Sequence, residues 1–230
     1  MRLIIALLGL FLVASAARAQ TPSTEGVWEP LQSLPFRPVH SILLPDGQVM
    51  MFATQTSGAL IWDPSTGALS PGPVFDYNPF CSGHVQSSDG RVFFAGGQIG
   101  SLNNVGARDA VFYDPSTELM SPVPDMNAGR WYPSLVAMGD GDVVVLSGNI
   151  NVGIGNLVPE IWDAESGAWR DLVDASLRLP LYPAAFLAPN GEVFVATSTS
   201  RYLDVDGSGS WSFVADRLNS GRDDYGSACL

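Results

Sequence analysis

The sequence predicts an all-β protein and, within that class, a β-propeller. Three observations support this: tight turns that recur at nearly constant spacing, apolar runs of strand length beside them, and 24 glycines and 17 prolines in 230 residues, which disfavour helices. Short strands in units of 40 to 50 residues are typical of propeller blades. A β-sandwich is the alternative, but sandwiches do not normally repeat their turn chemistry at a fixed period.

Each unit opens with a predicted β-hairpin. Asp-Gly or Asn-Gly pairs separate two apolar runs and follow each other at spacings of 43, 51 and 50 residues. Such pairs supply the positive backbone angles of a two-residue hairpin turn, so each is expected to join two antiparallel strands. The four pairs are Asp46-Gly47, Asp89-Gly90, Asp140-Gly141 and Asn190-Gly191.

The second half of each unit also repeats. An aromatic residue is followed by aspartate and a turn of small residues, which predicts a third strand that ends in a turn and passes to a fourth. The copies are Trp62-Asp63-Pro64-Ser65-Thr66-Gly67, Tyr113-Asp114-Pro115-Ser116-Thr117 and Trp162-Asp163-Ala164-Glu165-Ser166-Gly167, with a weaker one from Tyr202 to Trp211. Each unit therefore has the four strands of one blade.

The units begin near Val27, Val74, Asn127 and Arg178, and a fifth begins near Leu218. The last residues, up to Leu230, read as the interior of a strand. A closed propeller has about four to eight blades, and a partial blade leaves an unpaired sheet edge. We therefore expect about four blades and the start of a fifth, incomplete at the carboxyl end and part of a longer protein.

The first 19 residues are predicted to be a signal peptide. Arg2 is followed by an apolar run, Leu3 to Ala14, and small residues at Ala17 and Ala19 precede a cleavage site before Gln20. A membrane anchor would need about 20 apolar residues, and no later run is long enough to span. We expect a secreted, extracellular or periplasmic protein with a short leader at 20–26 and propeller blades at 27–230.

The charge excludes some partners. The chain has 23 acidic and 11 basic residues, a net charge of −12, and every basic residue is arginine. Nucleic acid is therefore not an expected partner, because no basic surface would neutralise its phosphates.

Two residues stand out as candidates for chemistry because of their shared position. Cys81 lies eight residues before Asp89, and Tyr132 lies eight residues before Asp140. Both come just before the first strand of a unit, which in a propeller is the innermost, so they are expected to converge near the axis. Tyr182 occupies the same position before Asn190, so simple packing by an aromatic residue is the alternative role for Tyr132.

The strings around these residues resemble the galactose oxidase and glyoxal oxidase family of kelch-type propellers, with glyoxal oxidase the closer likeness. The resemblance covers about Val27 to Leu230, the front of the family's seven-bladed propeller, which a further β-domain follows; it implies that this chain is a truncated seven-bladed propeller. The strings are Phe80-Cys81-Ser82-Gly83-His84, Ser88-Asp89-Gly90-Arg91-Val92, Gly96-Gly97, Gly129-Arg130-Trp131-Tyr132-Pro133-Ser134 and Leu181-Tyr182-Pro183.

The resemblance implies a copper oxidase that oxidises small aldehydes or primary alcohols with O2 and releases H2O2. Cys81 and Tyr132 match the cysteine and tyrosine that are joined through sulfur in the family. Tyr132 would ligate copper and carry the radical, and Cys81 would be its covalent modifier. Such a site fits the chemistry, because copper stores one electron of a two-electron oxidation and the second must be taken by a ligand.

Other family features are missing. The family's tyrosine adjacent to a histidine, and its later histidine, have no match, since His40 and His84 do not carry over and are expected to be structural. The remaining copper ligands are expected beyond Leu230, so the chain by itself is expected to be inactive. The tryptophan that shields the radical in galactose oxidase has no counterpart, because Ile150 stands eighteen residues beyond Tyr132.

Alternatives remain open at this stage. Cys81 could form a disulfide with Cys229 or remain an inert buried thiol. The chain could also be a non-catalytic kelch-like propeller that binds a glycan or a protein through its loops, with Cys81 and Tyr132 as packing residues. Fold alone does not distinguish this protein from an oxidase.

Overall fold

The computed structural model describes residue 26 and residues 30–54, 58–100 and 105–216. The predicted signal peptide, the start of the fifth blade and Cys229 lie outside these residues. The chain divides into two compact units, Met1–Pro35 and Phe36–Leu230. The described residues of the first unit contain no strand or helix. In the second unit, no described helix is long and apolar enough to cross a membrane.

The described residues of the second unit form four antiparallel sheets of four strands each, in the order of the predicted repeats, and one small hairpin. The first sheet is β1 (His40–Leu43), β2 (Val49–Phe52), β3 (Ala59–Trp62) and β4 (Leu69–Pro71). The second is β5 (Gly83–Gln86), β6 (Val92–Ala95), β7 (Ala110–Asp114) and β8 (Leu119–Pro122).

The third sheet is β9 (Ser134–Ala137), β10 (Val143–Leu146), β13 (Glu160–Asp163) and β14 (Ala168–Asp171), with a small hairpin, β11 (Asn149–Asn151) and β12 (Ile154–Gly155), inserted. A 3₁₀ turn, Val173–Ala175, follows. The fourth sheet is β15 (Ala185–Leu187), β16 (Val193–Val195), β17 (Thr199–Asp204) and β18 (Ser210–Asp216). The predicted all-β, propeller-like fold is confirmed for the described residues; the number of blades in the whole protein stays a prediction.

The predicted hairpins form, but the prediction of two-residue turns was wrong. In the first hairpin, the Leu44 N–H donates to the Gln48 carbonyl at 2.8 Å and the Gly47 N–H donates to the Leu44 carbonyl at 3.0 Å, so three residues form the loop. Only Gly47 has a positive φ, +85°. The Asp46 carboxylate instead accepts the Gln48 N–H at 3.0 Å. The other three hairpins repeat this pattern.

Apolar layers between neighbouring sheets form the core. Because side chains alternate along a strand, each inner sheet contributes to two layers. Phe94 of β6 packs towards the first sheet with Phe52, whereas Phe93 packs towards the third sheet with Val145. A third layer joins the third and fourth sheets through Val144 and Val195. This stacking brings the segments before β5, β9 and β15 side by side.

Candidate functional site

Cys81 and Tyr132 meet, as their shared position predicts. Each precedes the first strand of its sheet by two residues. The Tyr132 N–H donates to the Cys81 carbonyl at 2.9 Å, so the two segments are joined through the backbone. Burial raises the pKa of the Cys81 thiol to about 11, and a hydrogen bond with the Tyr132 side chain opposes this shift. Thiol and phenol are therefore in contact, and the thiol is neutral at physiological pH.

The same backbone link continues to Tyr182. Its N–H donates to the Tyr132 carbonyl at 3.0 Å, so equivalent residues of three successive sheets form a ladder. All three have a positive φ, 62° at Cys81, 68° at Tyr132 and 47° at Tyr182. Residues other than glycine rarely adopt this conformation, and at functional sites it costs about 1–3 kcal/mol per residue. The fold maintains it at the positions that bring the candidate side chains together.

The ring of Tyr132 lies in an aromatic stack. Trp131 stacks on it with ring centroids 3.7 Å apart and an interplanar angle of 10°, and Tyr182 stacks on it at 4.6 Å and 24°. The resemblance placed the shielding tryptophan eighteen residues beyond Tyr132, where Ile150 stands, so no shielding residue was assigned. The sequence shows Trp131 next to Tyr132, but adjacency alone does not predict that the rings stack.

His40 and His84 lie close to each other, and His40 contacts the backbone of Cys81. The Cys81 N–H donates to Nε2 of His40 at 3.1 Å, and Nε2 of His84 donates to the Ser41 carbonyl at 3.2 Å. Burial lowers the pKa of both, that of His40 to about 3 with a contribution from His84. Both imidazoles are therefore neutral at physiological pH, and the lone pair of His40 at Nε2 is already occupied. Sequence reasoning did not anticipate that His40 hydrogen-bonds to the backbone of Cys81.

A buried ion pair holds the segment that carries Tyr132. Arg130 is fully buried, and its guanidinium lies 2.8 Å from the Glu160 carboxylate on β13. The same guanidinium donates to the carbonyls of Ser147 at 2.7 Å and Val158 at 2.6 Å. A second oxygen of Glu160 accepts the backbone N–H of Asn127 at 2.6 Å. The residues that precede Tyr132 are thus fixed on the third sheet.

Close backbone packing fixes this segment from the other side. A Cβ at Gly129 would lie 2.1 Å from the Gly106 carbonyl oxygen, closer than any real contact. Only glycine fits there, which gives a structural reason for the glycine that opens the Gly129-Arg130-Trp131-Tyr132 string.

An open cavity of about 370 Å³ lies on the side of the innermost strands. Residues from all four sheets line it, among them His40, His84, Leu135 and Tyr182. It offers room for a small molecule next to the segments that carry Cys81 and Tyr132.

The described residues fit one part of a copper oxidase site. The Cys81 thiol and the Tyr132 phenol are in contact, which a cross-linked phenol would require, and a phenolate oxygen is a suitable copper ligand. Among the described residues, however, no group of three or more His, Cys, Asp or Glu side chains could hold a metal ion. The described part of the chain therefore supplies the phenol and the thiol but not a full ligand set.

Comparison with known proteins supports the predicted resemblance. No protein-family model matches the chain. Two galactose oxidases of Gibberella zeae are each 29% identical to it over 179 residues, which is 72% of this chain and 25% of theirs. The chain thus spans about a quarter of the length of these curated relatives.

A solved structure shares the fold. A fungal alcohol oxidase of the AA5 family, described as catalytically diverse and solved in complex with copper, aligns with a TM-score of 0.69 and 20% identity. The alignment covers 86% of this chain and 45% of that one. Together these matches confirm the resemblance to the galactose oxidase family. They do not distinguish the glyoxal oxidase branch from the galactose oxidase branch.

Proposed function

We propose that this chain, a relative of the galactose oxidases, is part of an exported copper-dependent oxidase whose redox-active group is built from Cys81 and Tyr132. The observation that carries the proposal is the contact between a buried thiol and a phenol brought together from neighbouring sheets. The relatives support the copper requirement. The export step rests on the predicted signal peptide at residues 1–19.

The proposed substrates are small aldehydes or primary alcohols, with O2 as the electron acceptor and H2O2 as a product. Their oxidation removes two electrons, and bound copper would accept one of them. The Tyr132 phenol, first oxidised to its radical, would accept the second electron. An ortho thioether donates electron density to the ring and makes that prior oxidation easier. Tyr132 is the proposed copper ligand from this part of the chain, and we expect the remaining ligands outside the described residues.

Mass spectrometry of the protein expressed from its complete gene tests the proposal. After treatment with Cu(II) and air, we expect a tryptic product in which the Cys81 and Tyr132 peptides are joined with the loss of two hydrogen atoms. Tyr132→Phe and Cys81→Ser should both abolish this product. In Tyr132→Phe, Cys81 should remain open to alkylation after denaturation. Tyr202→Phe is the matched control, since Tyr202 packs on Phe194 at 5.3 Å within the fourth sheet and should leave the cross-link unchanged.

A peroxide assay with small aldehydes and primary alcohols follows on the same samples. Peroxide release that requires copper and is lost in both site variants would support the oxidase. If copper treatment leaves Cys81 as reactive in the parent as in Tyr132→Phe, the oxidase proposal fails. The non-catalytic propeller that binds a glycan or protein would then be the better description.

A further inference from the structure

We infer that Tyr182 is a positioning residue that aligns the Cys81 thiol with the Tyr132 ring so that the thioether can form. The inference rests on the proposed function, in which these two side chains become joined. It goes beyond that function because it gives a specific task to a third residue that neither ligates copper nor enters the cross-link.

Tyr182 makes three separate contacts, two with Tyr132 and one with the residue that follows Cys81. Its backbone N–H donates to the Tyr132 carbonyl at 3.0 Å. Its ring stacks on the Tyr132 ring at 4.6 Å. Its hydroxyl donates to the Ser82 carbonyl, on the residue after Cys81, at 3.0 Å. One side chain therefore bridges the Tyr132 ring and the backbone that carries the thiol.

A packing role alone does not explain these contacts. Tyr182 is 39% exposed and belongs to none of the three apolar clusters between the sheets. Phenylalanine would pack equally well, but only tyrosine carries a hydroxyl that can donate to the Ser82 carbonyl. A ring held at one end by stacking and at the other by a hydrogen bond restricts how the thiol and the phenol can move relative to each other.

The step that Tyr182 would assist is an oxidation. A bond forms between Sγ of Cys81 and the ring carbon ortho to the Tyr132 hydroxyl, while one S–H and one C–H bond break. The two electrons and two protons pass to O2, which is reduced to H2O2. Because two groups held in a reactive geometry combine much faster than two that must find it, the alignment of the thiol over that carbon should set the rate.

The test is the rate of cross-link formation in the protein expressed from its complete gene. Copper-free protein is mixed with Cu(II) in air-saturated buffer, and the joined Cys81–Tyr132 peptide is quantified by mass spectrometry over time. Tyr182→Phe keeps the stacked ring and loses the hydrogen bond, so we expect a rate about 3- to 10-fold lower. Tyr182→Leu loses both contacts, and a misalignment of about 1 Å corresponds to a rate about 100-fold lower.

Tyr202→Leu is the matched control, because it removes a tyrosine that packs against the Phe194 ring within the fourth sheet without touching the site. It should form the cross-link at the parental rate. Circular dichroism and thermal unfolding identify any variant that fails to fold. If Tyr182→Leu does not fold, the comparison of Tyr182→Phe with the parent still decides the question, since this variant keeps the ring.

The outcomes separate the two proposals. If the parent forms the cross-link fastest, Tyr182→Phe more slowly and Tyr182→Leu most slowly, the result supports the positioning role. A parent that forms the cross-link at the same rate as both Tyr182 variants overturns the role of Tyr182 and leaves the proposed function intact. A parent in which no cross-link forms overturns both.

Discussion

At the scale of single residues, His40 is held neutral by its surroundings. The Cys81 N–H donates to its Nε2 at 3.1 Å, so a proton on that nitrogen would eliminate the acceptor. Burial, followed by the nearby imidazole of His84, lowers the pKa of His40 from 6.5 to about 3. The folded protein therefore resists protonation at this position over a range of pH in which the unfolded chain accepts a proton.

We predict that His40 makes the free energy of unfolding depend on pH. Between pH 6.5 and about 3 the unfolded chain binds a proton at His40 and the folded protein does not. The contribution of His40 to the free energy of unfolding is therefore complete above pH 6.5 and decreases as the pH falls towards 3. At pH 5 the loss is about 2 kcal/mol. Urea unfolding at pH 7.5 and pH 5 measures this loss.

His40→Gln is the control for this prediction, because an amide oxygen can accept the Cys81 N–H but does not titrate. The parent should lose about 2 kcal/mol more than His40→Gln between the two pH values. Equal losses would show that another group causes the pH dependence and that His40 titrates normally in the folded protein.

At the scale of elements, the Arg130–Glu160 pair connects the segment before β9 to strand β13. Both side chains are buried, and Arg130 lies two residues before Tyr132 in the chain. Glu160→Gln preserves the shape of the side chain but leaves the guanidinium charge without its buried counter-charge. We predict a loss of about 3–5 kcal/mol in the free energy of unfolding, measured by urea denaturation.

Asp89→Asn is a matched control because it also replaces one carboxylate of an ion pair by its amide. Its partner, Arg91, lies 2.7 Å away, but both side chains are largely exposed, at 48% for Asp89 and 40% for Arg91. We expect a change below about 1 kcal/mol. A similarly small change for Glu160→Gln would show that the buried pair does not hold the Tyr132 segment.

The repeated elements could be predicted from the sequence because local turn chemistry determines them. The Asp-Gly and Asn-Gly pairs mark all four hairpins, although each loop is one residue longer than predicted. In each loop the aspartate or asparagine side chain accepts a backbone N–H two residues on. Their periodicity also identified the shared position of Cys81 and Tyr132. Spacing alone was enough for these features.

The rest of the site depends on contacts between sheets, which spacing does not encode. The stacking of Trp131 and Tyr182 on Tyr132 requires the three-dimensional placement of neighbouring residues and neighbouring sheets. The same is true of the Arg130–Glu160 pair, whose partners are 30 residues apart. Sequence reasoning quoted Arg130 within a motif and assigned it no role, because a buried guanidinium is recognised only when its partner is seen.

At the scale of the whole molecule, the fourth sheet has one covered face and one aromatic face. Val193, Val195 and Leu203 point into the layer shared with the third sheet. On the opposite face, Phe186 pairs with Phe194 and Phe194 with Tyr202, which makes a row of aromatic side chains across three strands. These aromatic residues are partly buried and belong to none of the three described clusters.

We predict that a further sheet covers this aromatic row in the protein expressed from its complete gene, as neighbouring sheets cover each other in the described blades. Phe194→Ala would then create a cavity and lower the free energy of unfolding by about 3–5 kcal/mol. Phe93→Ala is the reference for a ring enclosed between two sheets, since Phe93 is fully buried. Phe213→Ala is the reference for an open surface, since Phe213 is 66% exposed.

Urea denaturation of the three variants in the same protein measures the differences. A loss for Phe194→Ala close to that of Phe93→Ala would mean that the fourth sheet is followed by another, which agrees with the larger propeller that the repeat predicts. A loss close to that of Phe213→Ala, below about 1 kcal/mol, would mean that the aromatic face stays open to solvent. The propeller would then end at the fourth sheet, and the remaining copper ligands could not come from further blades.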